Sequence, residues 1–156
     1  MSKSIDRVMD ALKAANCAAL AMEMPAETRT AAQAADAASC DIDQIAKSII
    51  FAGETTGDLY LFITAGGNQV CEAKAAFLTG EALGRAHPGV VREKTGFAIG
   101  GIPPVGHLSP ITSFMDTRLS DFGIVYAAAG TPRHIFGIDP TELLKISNAQ
   151  ISDFTT

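Results

Sequence analysis

Two stretches of the sequence combine residue types that could do chemistry. In the first, Lys47 stands between Ile45-Ala46 and the apolar run Ser48-Ile49-Ile50-Phe51. A cation projecting from a strand end into a pocket of low dielectric attracts a phosphate or carboxylate more strongly than it would in water. A solvent-facing lysine on a half-buried strand is the ordinary alternative. The second stretch is Gly100-Gly101-Ile102-Pro103-Pro104-Val105-Gly106-His107. Its glycines allow positive φ and close approach of a ligand to backbone N–H groups, while Pro103 and Pro104 hold the shape, which together can build an anion- or carbonyl-binding surface without charged side chains. A tight structural crossover would use the same residues.

Other chemistries find little support. No Gly-Lys-Ser/Thr follows the glycines and no Gly-x-Gly-x-x-Gly occurs, so neither a Walker loop nor a dinucleotide fingerprint is present, and no cofactor is expected. His87, His107 and His134 are the three histidines, none at the i, i+4 spacing of a helical metal pair. His107 and Ser109 lie close in sequence, but no Gly-x-Ser-x-Gly elbow accompanies them, which argues against a serine-hydrolase triad. Cys17, Cys40 and Cys71 are widely spaced without a Cys-x-x-Cys pair, as expected of reduced thiols in a cytoplasm. Asp41 and Asp43, Asp116 and Asp121, and Asp139 sit where helix starts and turns use carboxylates as caps.

The elements that must position these residues follow from periodicity and punctuation. Ile5, Val8, Met9 and Leu12 make an amphipathic first helix that Asn16 ends. Thr30 and Gln33 have capping-box spacing ahead of the alanines of a second helix, which Ser39 to Asp41 breaks. A short helical turn over residues 42–46 then leads into strands at 48–51 and 59–64, joined by a turn at 53–58. Helices are predicted over 71–78, closed by Gly80, and over 88–95, with Pro88 in the first turn and Gly96 beyond the end; a connector joins them. Two prolines and three glycines keep 97–107 out of helix and central strand. Strand signals return at 111–114, 122–127 and 134–138, and Asp139, Pro140 and Glu142 read as cap, first residue and capping-box partner of a last helix. No repeat or linker divides the chain. The expectation is one α+β domain over residues 1–156, with a large mixed β-sheet flanked by helices.

Length and charge bound the function. A domain of 156 residues can bury roughly 68 to 70% of its unfolded surface and needs no disulfide or metal staple. Twelve Lys and Arg against 17 Asp and Glu leave a net charge of −5, which argues against a broad basic face for nucleic acid and against sequence-specific DNA binding. Apolar runs of about seven residues fall far short of the roughly 20 a membrane helix needs, and no signal peptide is evident.

Gln44 to Phe51 and Gly100 to His107, in that order and separation, resemble the YbaK and prolyl-tRNA synthetase-associated editing-domain family, and the resemblance runs from about Thr30 to about Ile146. It implies an α+β fold and a free-standing hydrolase that clears tRNA mischarged with a small amino acid, working beside a prolyl-tRNA synthetase. By the resemblance, Lys47 would engage the phosphate or ribose of the tRNA 3′ end. Gly100, Gly101 and Pro104 belong to the Gly-x-x-x-Pro loop whose amides would hold the ester carbonyl. Thr30, Gly106, His107, Gly130 and His134 would shape the substrate pocket. Position 103 is Pro where many members carry Ser, and Met24 to Arg29 differs from the alanine-specific branch. Alanine, serine, threonine, cysteine and 2-aminobutyrate all stay open as the amino acid cleared. A non-catalytic module that holds the aminoacyl-tRNA 3′ end without turnover, or a regulatory module, is the alternative.

Overall fold

The computed structural model describes residues 3–156. Helix α1 (Lys3–Ala14) buries Ile5, Val8 and Leu12, the stripe that its period requires. Strand β1 (Met22–Glu23) and helix α2 (Ala31–Ala38) follow. Thr30 caps α2 through the full capping box, its hydroxyl accepting from the Gln33 backbone amide while the Gln33 side-chain Oε1 accepts from the Thr30 backbone amide. A 3₁₀ turn (Ile42–Gln44) delivers the chain into β2 (Ala46–Gly53), so Lys47 lies inside the strand rather than ahead of it.

The remaining elements are β3 (Leu59–Ala65), α3 (Glu72–Thr79), β4 (Leu83–Arg85), α4 (Pro88–Thr95), β5 (Thr112–Asp116), a 3₁₀ turn (Thr117–Asp121), β6 (Val125–Ala128), β7 (His134–Ile138), α5 (Pro140–Ser147) and β8 (Gln150–Ser152). Among the described residues these strands form two sheets, one of five strands in the order β4-β2-β3-β5-β8 and one of three in the order β1-β7-β6. The larger sheet is mixed: β2 runs antiparallel to β3 and β4, whereas β3–β5 and β5–β8 are parallel. β3 lies between β2 and β5 and is buried at all seven positions, which is why it reads as a continuous apolar run.

Alternation along β2 and β3 divides the core. Leu59, Leu61, Ile63 and Ala65 join Val8, Leu12, Phe97, Phe136 and Leu143 on one face. Tyr60 and Phe62 join Phe114 and Phe154 on the other, with Phe62 stacked on Phe114 at 5.2 Å between ring centres and meeting Phe154 edge-on at 5.0 Å.

Four local expectations change. The connector between α3 and α4 contains β4, a three-residue edge strand without strand-like composition. β1 and β8, of two and three residues, form by pairing with distant β7 and β5. Phe122 caps the 3₁₀ turn, and Gly123 and Ile124 connect it to β6 rather than opening the strand. At α5 the Asp139 carboxylate accepts from the Thr141 amide, and no reciprocal Glu142 bond closes a capping box; Glu142 lies beside the Cys17 thiol, whose pKa burial and this carboxylate both raise.

Candidate active site

Among the described residues the two sheets meet at a single parallel bridge, Ile45 to Tyr126. Beyond it β2 and β6 diverge, and β4 does not join β2 until Phe51. The edge of β2 from Ala46 to Ile50 therefore has no strand partner among the described residues, and a cavity of about 470 Å³ opens along it. That volume lies within the usual range for small-molecule sites, roughly 300–1,000 Å³. Three segments wall it: residues 28–31 leading into α2, residues 45–50 entering and following β2, and residues 99–102 of the glycine loop; Arg85, Val91, Tyr126 and Ile135 join them from β4, α4, β6 and β7.

Lys47 is half-buried, and its Nζ donates to the carbonyl oxygens of Gly66 (3.0 Å) and Asn68 (2.6 Å). Desolvation lowers its pKa, and the nearby charges of Asp116 and Asp43 act in the opposite direction. An ammonium has three N–H donors, so one remains for a ligand.

Gly100 and Gly101 earn their places differently. Gly100 has φ +105°, a region that side-chain-bearing residues avoid, and the Arg29 guanidinium lies against it. Gly101 has ordinary φ but no room: a Cβ there would fall 2.6–2.8 Å from the backbone of Thr131. The Gly101 carbonyl accepts from the Gly130 amide at 3.0 Å, which ties the loop to the turn after β6. Among the described residues the amides of Gly100 and Ile102 have no hydrogen-bond acceptor, and both residues line the cavity. Two unpaired N–H groups on a loop that lines the same cavity as a cation are suited to a carbonyl oxygen that gains negative charge.

Thr30 lines the cavity mouth, with its hydroxyl oxygen engaged in the cap of α2. The other residues named from the sequence stand behind the wall. Pro104 is buried in the loop's interior. Gly106 packs against the Arg7 carbonyl in α1, with φ +81°. The His107 ring, whose pKa burial lowers, donates from Nε2 to the Pro103 carbonyl at 2.7 Å and meets Phe97 edge-on. Gly130 supports Gly101, and His134 bonds through Nδ1 to the Thr131 hydroxyl at 2.6 Å. These residues fix the shape of the loop and the adjoining turn. Neighbouring Ile135, not His134, reaches the cavity wall.

Three cavity residues were not singled out from sequence. Arg29 and Arg85 bring two further cations, Arg85 on a strand with no sequence signal and Arg29 just before a cap. Ser48 lies on the opposite face of β2 from Lys47, and its Oγ is buried without a hydrogen-bond partner among the described residues. Burial of an unpaired hydroxyl is unusual enough to need a reason, but a serine inside an apolar strand gives no warning of it.

The chain as a whole resembles known proteins. The sequence profile of the aminoacyl-tRNA editing domain matches residues 25–146. The uncharacterized protein YwhH of Bacillus subtilis (strain 168) is 31% identical over 130 residues, spanning 83% of this chain and 82% of YwhH. A solved structure described as a candidate trans-editing enzyme for prolyl tRNA synthetase superposes with a TM-score of 0.93 at 44% identity, over 100% of this chain and 99% of the other. The hypothetical protein APE2540 superposes with a TM-score of 0.88 at 26% identity, over 96% and 99% of the two chains. The profile match covers both Lys47 and the glycine loop, and the chain belongs to the aminoacyl-tRNA editing domain family.

Proposed function

We propose that this protein is a trans-editing deacylase that hydrolyses the ester of tRNA mischarged with a small amino acid, with tRNA(Pro) the first candidate, in the cytoplasm beside a prolyl-tRNA synthetase. The observation that carries the proposal is the cavity in which Lys47 and the unpaired amides of Gly100 and Ile102 line one space. The likeness to a candidate trans-editing enzyme for prolyl tRNA synthetase supports the choice of tRNA.

An aminoacyl ester is already activated, so the protein has less to supply than a protease does. The terminal nucleotide is anchored by the free N–H of Lys47 through its phosphate or ribose. The ester carbonyl sits against the Gly100 and Ile102 amides. A ribose hydroxyl of the substrate orients a water and relays its proton: as the water oxygen adds to the carbonyl carbon, the hydroxyl accepts the proton the water loses and gives up its own. The tetrahedral intermediate collapses as the ester C–O bond breaks, and the departing ribose oxygen takes that relayed proton. Positioning and oxyanion stabilisation supply the rate, and no nucleophilic side chain is required. Thr30 lies at the mouth, and Pro104, Gly106, His107, Gly130 and His134 hold the loop and its supporting turn in register.

Discrimination against proline is steric, and a methylene in an apolar pocket separates substrates by only about 10 to 200-fold, so small amino acids overlap. The test is a deacylation panel over tRNA charged with proline, alanine, serine, threonine, cysteine and 2-aminobutyrate. Hydrolysis of at least one small aminoacyl ester with prolyl-tRNA spared is the expected result. Binding of the aminoacyl end without turnover of any substrate would replace the enzyme with a non-catalytic module.

A further inference from the structure

The carbonyls that hold Lys47 belong to a turn that is itself held by two carboxylates. Asp116, only 3% exposed, accepts from the Ala65 amide (3.0 Å) and the Asn68 side-chain amide (2.9 Å) through Oδ2, and from the Arg118 amide (3.0 Å) through Oδ1. Asp43 accepts from the Gly67 amide at 2.9 Å through Oδ1 and from Arg118 Nε at 3.0 Å through Oδ2. A Cβ on Gly67 would collide with that Asp43 oxygen, and one on Gly66 with the Ile42 carbonyl, so the turn is shaped to admit its partners. Neither Asp43, Asn68 nor Asp116 lines the cavity.

This arrangement meets two demands that usually conflict. An ammonium that anchors an anion must be fixed in place and charged. A direct salt bridge would satisfy both while occupying the ammonium, whereas two neutral carbonyls fix the group and leave a donor free for a ligand, and carboxylates one step away favour its charged form. The charged groups around Lys47 are Asp43 from the turn before β2, Asp116 from the end of β5, Arg118 beyond it, paired to Asp43 and Asp121, and, across the cavity, the cations Arg29 and Arg85. We propose that Asp116 and Asp43 are positioning residues for Lys47: they hold the Gly66–Asn68 turn whose carbonyls orient the ammonium, and they supply, one step removed, the negative charge it faces. The inference rests on the anchoring role given to Lys47 above.

The test compares Asp116→Asn and Asp43→Asn with Asp121→Asn, which touches Arg118 but not the turn. The ammonium of Lys47 is titrated by NMR in the free protein, its signal identified by loss in Lys47→Arg. In the two turn variants its titration midpoint should fall by about one pH unit, the low end of the effect of a nearby opposite charge. The Asp121 variant should match wild type. The alkaline limb of kcat/KM for deacylation should move down by the same amount, with at least a tenfold loss on that limb. If Asp116→Asn does not fold, Asp43→Asn, on a partly exposed residue, carries the comparison. An unchanged Lys47 midpoint in the folded variants would overturn the proposal, whatever the activity. A lowered midpoint in a protein that hydrolyses no aminoacyl-tRNA would support the positioning network and instead count against the deacylase reading.

Discussion

Gly101→Ala isolates the contribution of the loop from that of charge, because it adds one methyl and removes no polar group. The added Cβ would lie 2.6–2.8 Å from the N, Cα and C of Thr131, where ordinary contact begins at 3.4 Å, so loop or turn must retreat by about 0.6–0.8 Å. Both partners are backbone, and neither can swing aside as a flexible side chain would. The Gly130 N–H to Gly101 carbonyl bond crosses the same junction and stretches with it. Overpacking of this kind costs about 1–3 kcal/mol of stability. The Gly100 and Ile102 amides flank the displaced residue, and loss of one oxyanion donor costs about 10²–10³ in rate. Single-turnover deacylation at saturating enzyme should therefore fall about a hundredfold, while the fold survives with a lowered melting temperature. Gly123→Ala is the control, since nothing lies within 4 Å of its Cβ and its φ is not positive. Wild-type turnover by a folded Gly101→Ala protein would refute the assignment of carbonyl binding to this loop.

Three further outcomes can be checked directly. Ser48→Ala removes a buried hydroxyl without a partner, so thermal unfolding should occur at the same temperature as wild type or up to a few degrees higher; a fall of several degrees would mean that the hydroxyl is bonded in solution. Glu81 accepts from Tyr60 Oη (2.6 Å), the Thr56 hydroxyl and the Thr55 and Thr56 amides, which hold its pKa down at about 2 against 4.5. A depressed carboxylate stabilises fully above its unfolded value, and that contribution is lost as pH falls towards the folded value, so the melting-temperature gap between wild type and Glu81→Gln should be constant near neutrality, shrink below about pH 4.5 and close near pH 2; a gap that does not change with pH would show that the Glu81 charge is irrelevant. Binding of a non-hydrolysable aminoacyl acceptor end should weaken with salt at a log–log slope of about −1 to −2, since a single-strand phosphate contact contributes about −0.7; a slope steeper than about −4 would reveal an extended basic face instead.

How much was legible in the sequence depended on how local each cause is. Caps and glycine stops are decided within a few residues, and α2, α3 and α4 end where Ser39, Gly80 and Gly96 adopt the left-handed conformation. β1, β4 and β8 have two or three residues each and owe their extended shape to partners far away in the chain, so no window of sequence contains their cause. The site divides in the same way. Lys47 and Gly100 stand out by type and spacing, whereas Arg85, Ser48 and Asp116 acquire meaning only where β2 parts from β6 and the turn after β3 closes over Lys47.

The net charge of −5 is a sum that hides this geometry. Asp43, Asp116 and Asp121 are spent on backbone amides, an Asn side chain and Arg118, and Glu81 on a hairpin turn, all away from the cavity lining. The charged side chains that do line the cavity are Arg29, Lys47 and Arg85, all cationic. An acidic protein can thus present a locally positive mouth, suited to the few phosphates of a single-stranded end and too small for a duplex backbone. The excess acid elsewhere then disfavours wrapping by the rest of a polyanion, which confines the contact to the terminus where the ester lies.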